Sequence, residues 1–102
     1  MGWSVYVNGR IKFRGDVDDE TAKEILKEFE DVLECEPKYD PEDDEYVFQE
    51  VLWMSHVDIE EVNRVANKWK GYLEMAEIAV YTLDDPAYYF YKNVAHEKLQ
   101  EG

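Results

Sequence analysis

With 102 residues, 45% hydrophobic and 15% aromatic, the chain fits one domain and is too rich in rings to be disordered. Twenty-five acids against eleven bases set the net charge at −14 and the pI near 4.3, a balance that repels phosphates and argues against direct nucleic-acid binding. No stretch reaches the roughly 18 apolar residues of a membrane span, Met1-Gly2-Trp3-Ser4-Val5 lacks the basic and apolar regions of a signal peptide, and the lone Cys35 makes no internal disulfide, so a cytoplasmic protein without a membrane partner is expected.

The charge is unevenly spread. Residues 1–14 carry +3 through Arg10, Lys12 and Arg14, residues 15–50 carry −13, and residues 51–102 carry −4.

In chain order, residues 3–14 read as a β-hairpin around Asn8-Gly9, a strong turn signal. A three-residue loop, Val7-Asn8-Gly9, places Trp3, Val5, Ile11 and Phe13 on one face and Ser4, Tyr6, Arg10, Lys12 and Arg14 on the other. A two-residue loop would mix apolar and basic side chains, so the longer loop is preferred. A helix follows over about 19–35. Asp18 is its N-cap, and Val17 with Ala22 forms a hydrophobic staple. Ala22, Ile25, Leu26, Phe29, Val32 and Leu33 form its apolar stripe, and Pro37 ends it.

Residues 36–45 are an acidic loop in which 36–40 can add a short edge strand. Residues 46–54 are rich in β-formers. Val47, Val51 and Trp53 lie on one face and Tyr46, Phe48, Leu52 and Met54 on the other, so this strand is expected to be covered on both sides. Asp58 and Glu61 fit a capping box for a second helix over about 58–73, with Ile59, Val62, Val65, Ala66, Trp69, Tyr72 and Leu73 inward. A strand follows over 76–83.

The tail is ambiguous. Tyr88-Tyr89-Phe90-Tyr91 has strand propensity, but Asp85-Pro86 is a good helix start and apolar residues continue at i,i+4 spacing. A C-terminal helix over 86–99 is therefore expected. The whole is a single acidic α+β domain over residues 1–102: an N-terminal hairpin, then a split βαβ, ferredoxin-like sheet packed on two amphipathic helices.

Chemistry is sparse. Asp40-Pro41-Glu42-Asp43-Asp44 alternates carboxylates as a calcium loop does, but the Gly and Glu places of that motif hold Glu45 and Val51. Asp16 to Glu20 fails in the same way. His56, His96 and Cys35 lack paired-ligand spacing for zinc. No phosphate-binding glycine motif occurs, and no cofactor or metal is implied. Cys35 sits between Glu34 and Glu36, in a field that disfavours a thiolate. No catalytic residue is assigned.

Two functional readings follow. The leading one is a non-catalytic interaction module whose carboxylates Asp31, Glu34, Asp40, Glu42, Asp43, Asp44 and Glu45 attract a basic protein, with nucleic-acid mimicry as its specific form. The alternative is a ligand-binding or enzymatic ferredoxin-like dimer. Its pocket would lie near Glu50 and His56, with walls from Trp53, Tyr72, Tyr81 and Tyr88. The basic stripe of Arg10, Lys12 and Arg14 is expected to meet the protein's own acids or those of a second copy, and the abundance of tyrosine points to a homodimer.

Overall fold

The computed structural model describes residues 4–53, 57–82 and 86–94. Its elements are β1 (Ser4–Phe13), α1 (Asp19–Leu33), β2 (Lys38–Asp40), β3 (Glu45–Trp53), α2 (Ile59–Trp69) with a 3-10 turn at Lys70–Tyr72, β4 (Leu73–Tyr81) and β5 (Pro86–Asn93). The strands form one five-stranded sheet in the order β2-β3-β1-β4-β5, antiparallel at every pairing. The protein is thus α+β, an antiparallel sheet with two helices.

The first correction concerns Asn8-Gly9. The expected hairpin is a single ten-residue strand, and the turn signal lies in its middle. Asn8 and Gly9 oppose Gln49 and Phe48 on one side and Ala79 and Ile78 on the other. A strand paired along both edges satisfies its backbone groups more fully than a two-stranded hairpin, which decides the competition. Gly9 has no positive φ, the backbone conformation a glycine turn would demand. Among the described residues, Val5, Ile11 and Phe13 keep the face expected of them, because even offsets of six and two positions return to the same side of a strand.

The helix starts follow the sequence, but the C-terminal ends do not. α1 stops at Leu33 rather than 35, and α2 at Trp69 rather than 73. The Lys70–Tyr72 turn leads into β4, which takes Leu73 and opens the strand expected at 76, and it leaves Tyr72 43% exposed rather than inward. Asp18 caps α1, its Oδ1 accepting from the Thr21 backbone N–H at 2.7 Å. Glu34 closes that helix in the left-handed region at φ 53°, its N–H reaching the Glu30 carbonyl. Asp58 caps α2, accepting from the Glu60 and Glu61 N–H groups. Both helices lie on one side of the sheet. Ile25, Phe29 and Leu33 from α1 and Val62, Val65, Ala66 and Trp69 from α2 pack on Val5, Val7, Ile11, Phe48, Leu73, Ala76, Ile78 and Val80. Phe29 and Phe48 are fully buried with centroids 6.1 Å apart. Between the helices, Glu28 accepts from both the Lys68 ammonium at 3.1 Å and the Trp69 indole N–H at 3.1 Å.

The second correction is the tail, where residues 86–93 form a strand on β4 rather than the start of a helix. The free edge of β4 offers a full ladder to Tyr88-Tyr89-Phe90-Tyr91, whose ring-bearing residues suit a pleated surface. Pro86 stands at the first strand position, where its missing N–H is tolerated. The Tyr88 hydroxyl donates to Asn63 Oδ1 at 3.1 Å and ties β5 to α2. The remainder of the expected helix, 95–99, lies outside the described residues.

The third correction concerns β3. Tyr46, Phe48 and Leu52 join the helix-side core, but the opposite row is uncovered among the described residues, and Val51 is 43% exposed. Among the described residues the sheet is covered on one side, giving two layers rather than three.

Candidate functional site

The acids expected to meet a partner divide into two groups by local geometry. In the β2–β3 turn, Asp40 Oδ1 accepts from the Glu42 N–H at 3.0 Å, an Asx turn that shapes the loop. Asp44 adopts φ 54°, and its carboxylate accepts from the Tyr39 hydroxyl at 2.7 Å. That hydrogen bond, with smaller help from desolvation and nearby acids, holds the Tyr39 hydroxyl above its ordinary pKa. Glu45 is buried, and its Oε1 lies 2.7 Å from Arg10 Nη2. Asp43 reaches the same guanidinium at 3.5 Å. Asp40, Asp44 and Glu45 therefore build the turn as well as charging it, while Glu42 remains exposed at its tip.

On the helix layer, Asp31 is exposed on α1, and Glu34 forms the C-cap of that helix. Two further acids join this group although composition alone did not single them out. Glu20, Glu24 and Asp31 fall within about 40° of one another at 100° per residue, so they share a stripe on α1. All three are exposed, and no ion pair among the described residues engages them. The helical spacing that marked the apolar stripe also marks this one.

Of the N-terminal bases, Arg10 and Arg14 meet the protein's own acids. Arg10 engages Glu45 and Asp43, and Arg14 lies 3.8 Å from Asp16. Glu50 is exposed, and its carboxylate turns back to the Val51 N–H at 3.3 Å. It lines an open depression of about 410 Å³ with Tyr6, Val7, Asn8, Gln49, Val51 and Tyr81. His56 and the Trp53 side chain lie outside the described residues. The other rings proposed as pocket walls do not converge. Tyr72 packs edge-on against Trp69, Tyr88 reaches Asn63, and Tyr81 stacks on Tyr6 across the other face of the sheet.

Cys35 is buried. Burial raises its thiol pKa more than the backbone hydrogen bond from Gln49 lowers it, and Glu50, Glu30 and Glu36 raise it further. Among the described residues no three His, Cys, Asp or Glu gather as metal ligands, and no helix is long and apolar enough to cross a membrane.

The open face of the sheet is the site the sequence obscured. Strand register places Tyr6, Asn8, Arg10 and Lys12 of β1 on it. Beside them stand Val47, Gln49 and Val51 of β3, Glu77, Ala79 and Tyr81 of β4, and Tyr89 and Tyr91 of β5. Tyr89 is 58% and Tyr91 50% exposed. Comparison with known protein families, with curated proteins and with solved structures returns no match for this chain.

Proposed function

We propose that this protein is a non-catalytic interaction module that presents carboxylates of its helix layer and β2–β3 turn to a basic protein. The observation that supports the reading is the stripe of Glu20, Glu24 and Asp31 on α1, exposed and engaged by no ion pair among the described residues, with Lys27 as the one base on the same stripe. A helix rises 1.5 Å per residue, so Glu20 and Glu24 stand roughly 6 Å apart along the axis. That separation resembles the spacing of successive phosphates and supports nucleic-acid mimicry as the specific form. Glu42 extends the acidic surface to the β2–β3 turn, and Asp43 adds to it beyond its contact with Arg10. Capped helix ends hold the charges on a rigid element, which favours steering of a cationic partner at low ionic strength.

We also read the sheet as a split βαβ, ferredoxin-like arrangement with β5 added at its edge. The reading is supported by β1 and β3 lying side by side between β2 and β4, with one helix in each crossover.

The test of the interaction reading is capture of nucleic-acid enzymes from the protein's own host, with elution by rising salt. The expected result is retention at low salt, release as salt rises, and loss of retention in the Glu20→Lys, Glu24→Lys, Asp31→Lys triple variant. No capture at low salt, or capture indifferent to both salt and the triple variant, overturns the reading.

A further inference from the structure

We infer that the open face of the sheet docks a second copy of this chain. The argument starts from the register. Half of this face, formed by Ser4, Tyr6 and Asn8 of β1, Gln49 and Val51 of β3, Ala79 and Tyr81 of β4 and Tyr89 of β5, projects no charged side chain. Glu50 belongs to the opposite row, paired with Val7, although it also lines the depression on this half. On a chain of net charge −14, an uncharged half-sheet offers nothing to attract a basic protein or a phosphate.

The chemistry of this half is self-complementary. Its polar groups are hydroxyls and amides, from Ser4, Tyr6, Asn8, Gln49, Tyr81 and Tyr89, and each both donates and accepts. A two-fold interface brings the same patch to itself, and such groups satisfy their own copies where an acidic or basic patch would repel its copy. The apolar content suits the same arrangement. Tyr6 and Tyr81 stack with centroids 5.4 Å apart and planes at 15°, presenting a flat double ring beside exposed Val51. Toward the other end of the face the charges balance. Arg10, Lys12 and Lys38 stand with Asp40, Glu45 and Glu77, as in a polar rim around an uncharged centre.

The strands run to 10, 3, 9, 9 and 8 residues for β1 to β5. At about 4.8 Å by 3.3 Å per residue the face, charged end included, spans roughly 600 Å², so two copies would bury about 1,200 Å² in total, the lower end of specific interfaces.

The test is the mass of the intact chain in solution, followed by sedimentation across the micromolar range at low and high salt. The expected result is a dimer that tightens as salt screens the repulsion between two −14 chains. This is the reverse of the salt response expected for a basic partner, so the two readings fail separately. Val51→Lys and Tyr89→Lys each bury an ammonium without a partner in the uncharged half of the interface and should weaken the dimer about tenfold or more, with helix content preserved. A chain that stays monomeric at high salt overturns the inference. So does a dimer that both substitutions leave intact. So does a labelled single-stranded oligonucleotide that binds the monomer through Tyr89 and Val51.

Discussion

Arg10 and Glu45 form a forked ion pair on the open face of the sheet, with Nε donating at 3.0 Å and Nη2 lying 2.7 Å from the same carboxylate oxygen. Glu45 is the buried charged side chain among the described residues, and Arg10 is half-exposed. The pair links the central strand to the start of β3. Arg10→Met leaves a buried carboxylate without its cation and should cost about 1–3 kcal/mol in urea unfolding. Replacing both residues, Arg10→Met with Glu45→Leu, should restore much of that loss. A single-variant cost within about 0.5 kcal/mol would show that the pair behaves as an ordinary surface contact.

Gly9 separates the observed strand from the hairpin written in its dipeptide. A methyl group there would meet the Glu77 carbonyl, Ile78 Cγ1 and Phe48 Cβ at 3.6–3.7 Å, which is ordinary contact. Gly9→Ala should therefore be neutral or raise stability by about 0.4–1 kcal/mol, since alanine restricts the unfolded chain. In a left-handed turn the same substitution would destabilise. Thermal unfolding of the variant reads the difference directly.

Asp18 makes the start of α1 sensitive to acid. Its hydrogen bonds from Thr21 lower its pKa below the ordinary value of 3.8. A carboxylate depressed in the folded state contributes stability above the unfolded value, and that contribution is lost as pH falls through the folded one. Asp18→Ala should lower the melting midpoint by roughly 2–6 °C at neutral pH. Its curve and that of the parent chain should converge below about pH 4. A gap that persists in acid would assign the effect to something other than the charged cap.

Cys35 should be inert in the folded protein. Burial raises its pKa, and its Sγ faces the Glu36 carbonyl at 3.7 Å. Reaction with a disulfide reagent at mildly alkaline pH should be slower than in urea by about tenfold or more. Equal rates in both conditions would mean that the α1–β2 connection opens readily.

Residue order alone determined the presence of the two helices and their N-caps. Asp18 and Asp58 bond the N–H groups their positions predict, and the apolar stripes of α1 and of α2 as far as Trp69 pack into the core, whereas Tyr72 and Leu73 leave the helix for the turn and β4. These features depend on neighbours three or four residues apart, which a linear pattern records. The acidic excess was equally legible, but its roles were not. Asp40, Asp44 and Glu45 carry the same charge as Asp31, and only the turn geometry and Arg10 distinguish their work.

Tertiary structure decided what depends on remote partners. Asn8-Gly9 is a turn until β3 and β4 occupy both its edges, and Pro86 opens a helix until β4 offers a free ladder. The uncovered face of β3 was hidden for the same reason: apolar residues on both sides of a strand reveal that each can be buried, not whether this chain's own helices bury it. Hydrogen-bonding edges and covering layers are supplied from far along the chain, and local propensity cannot count them.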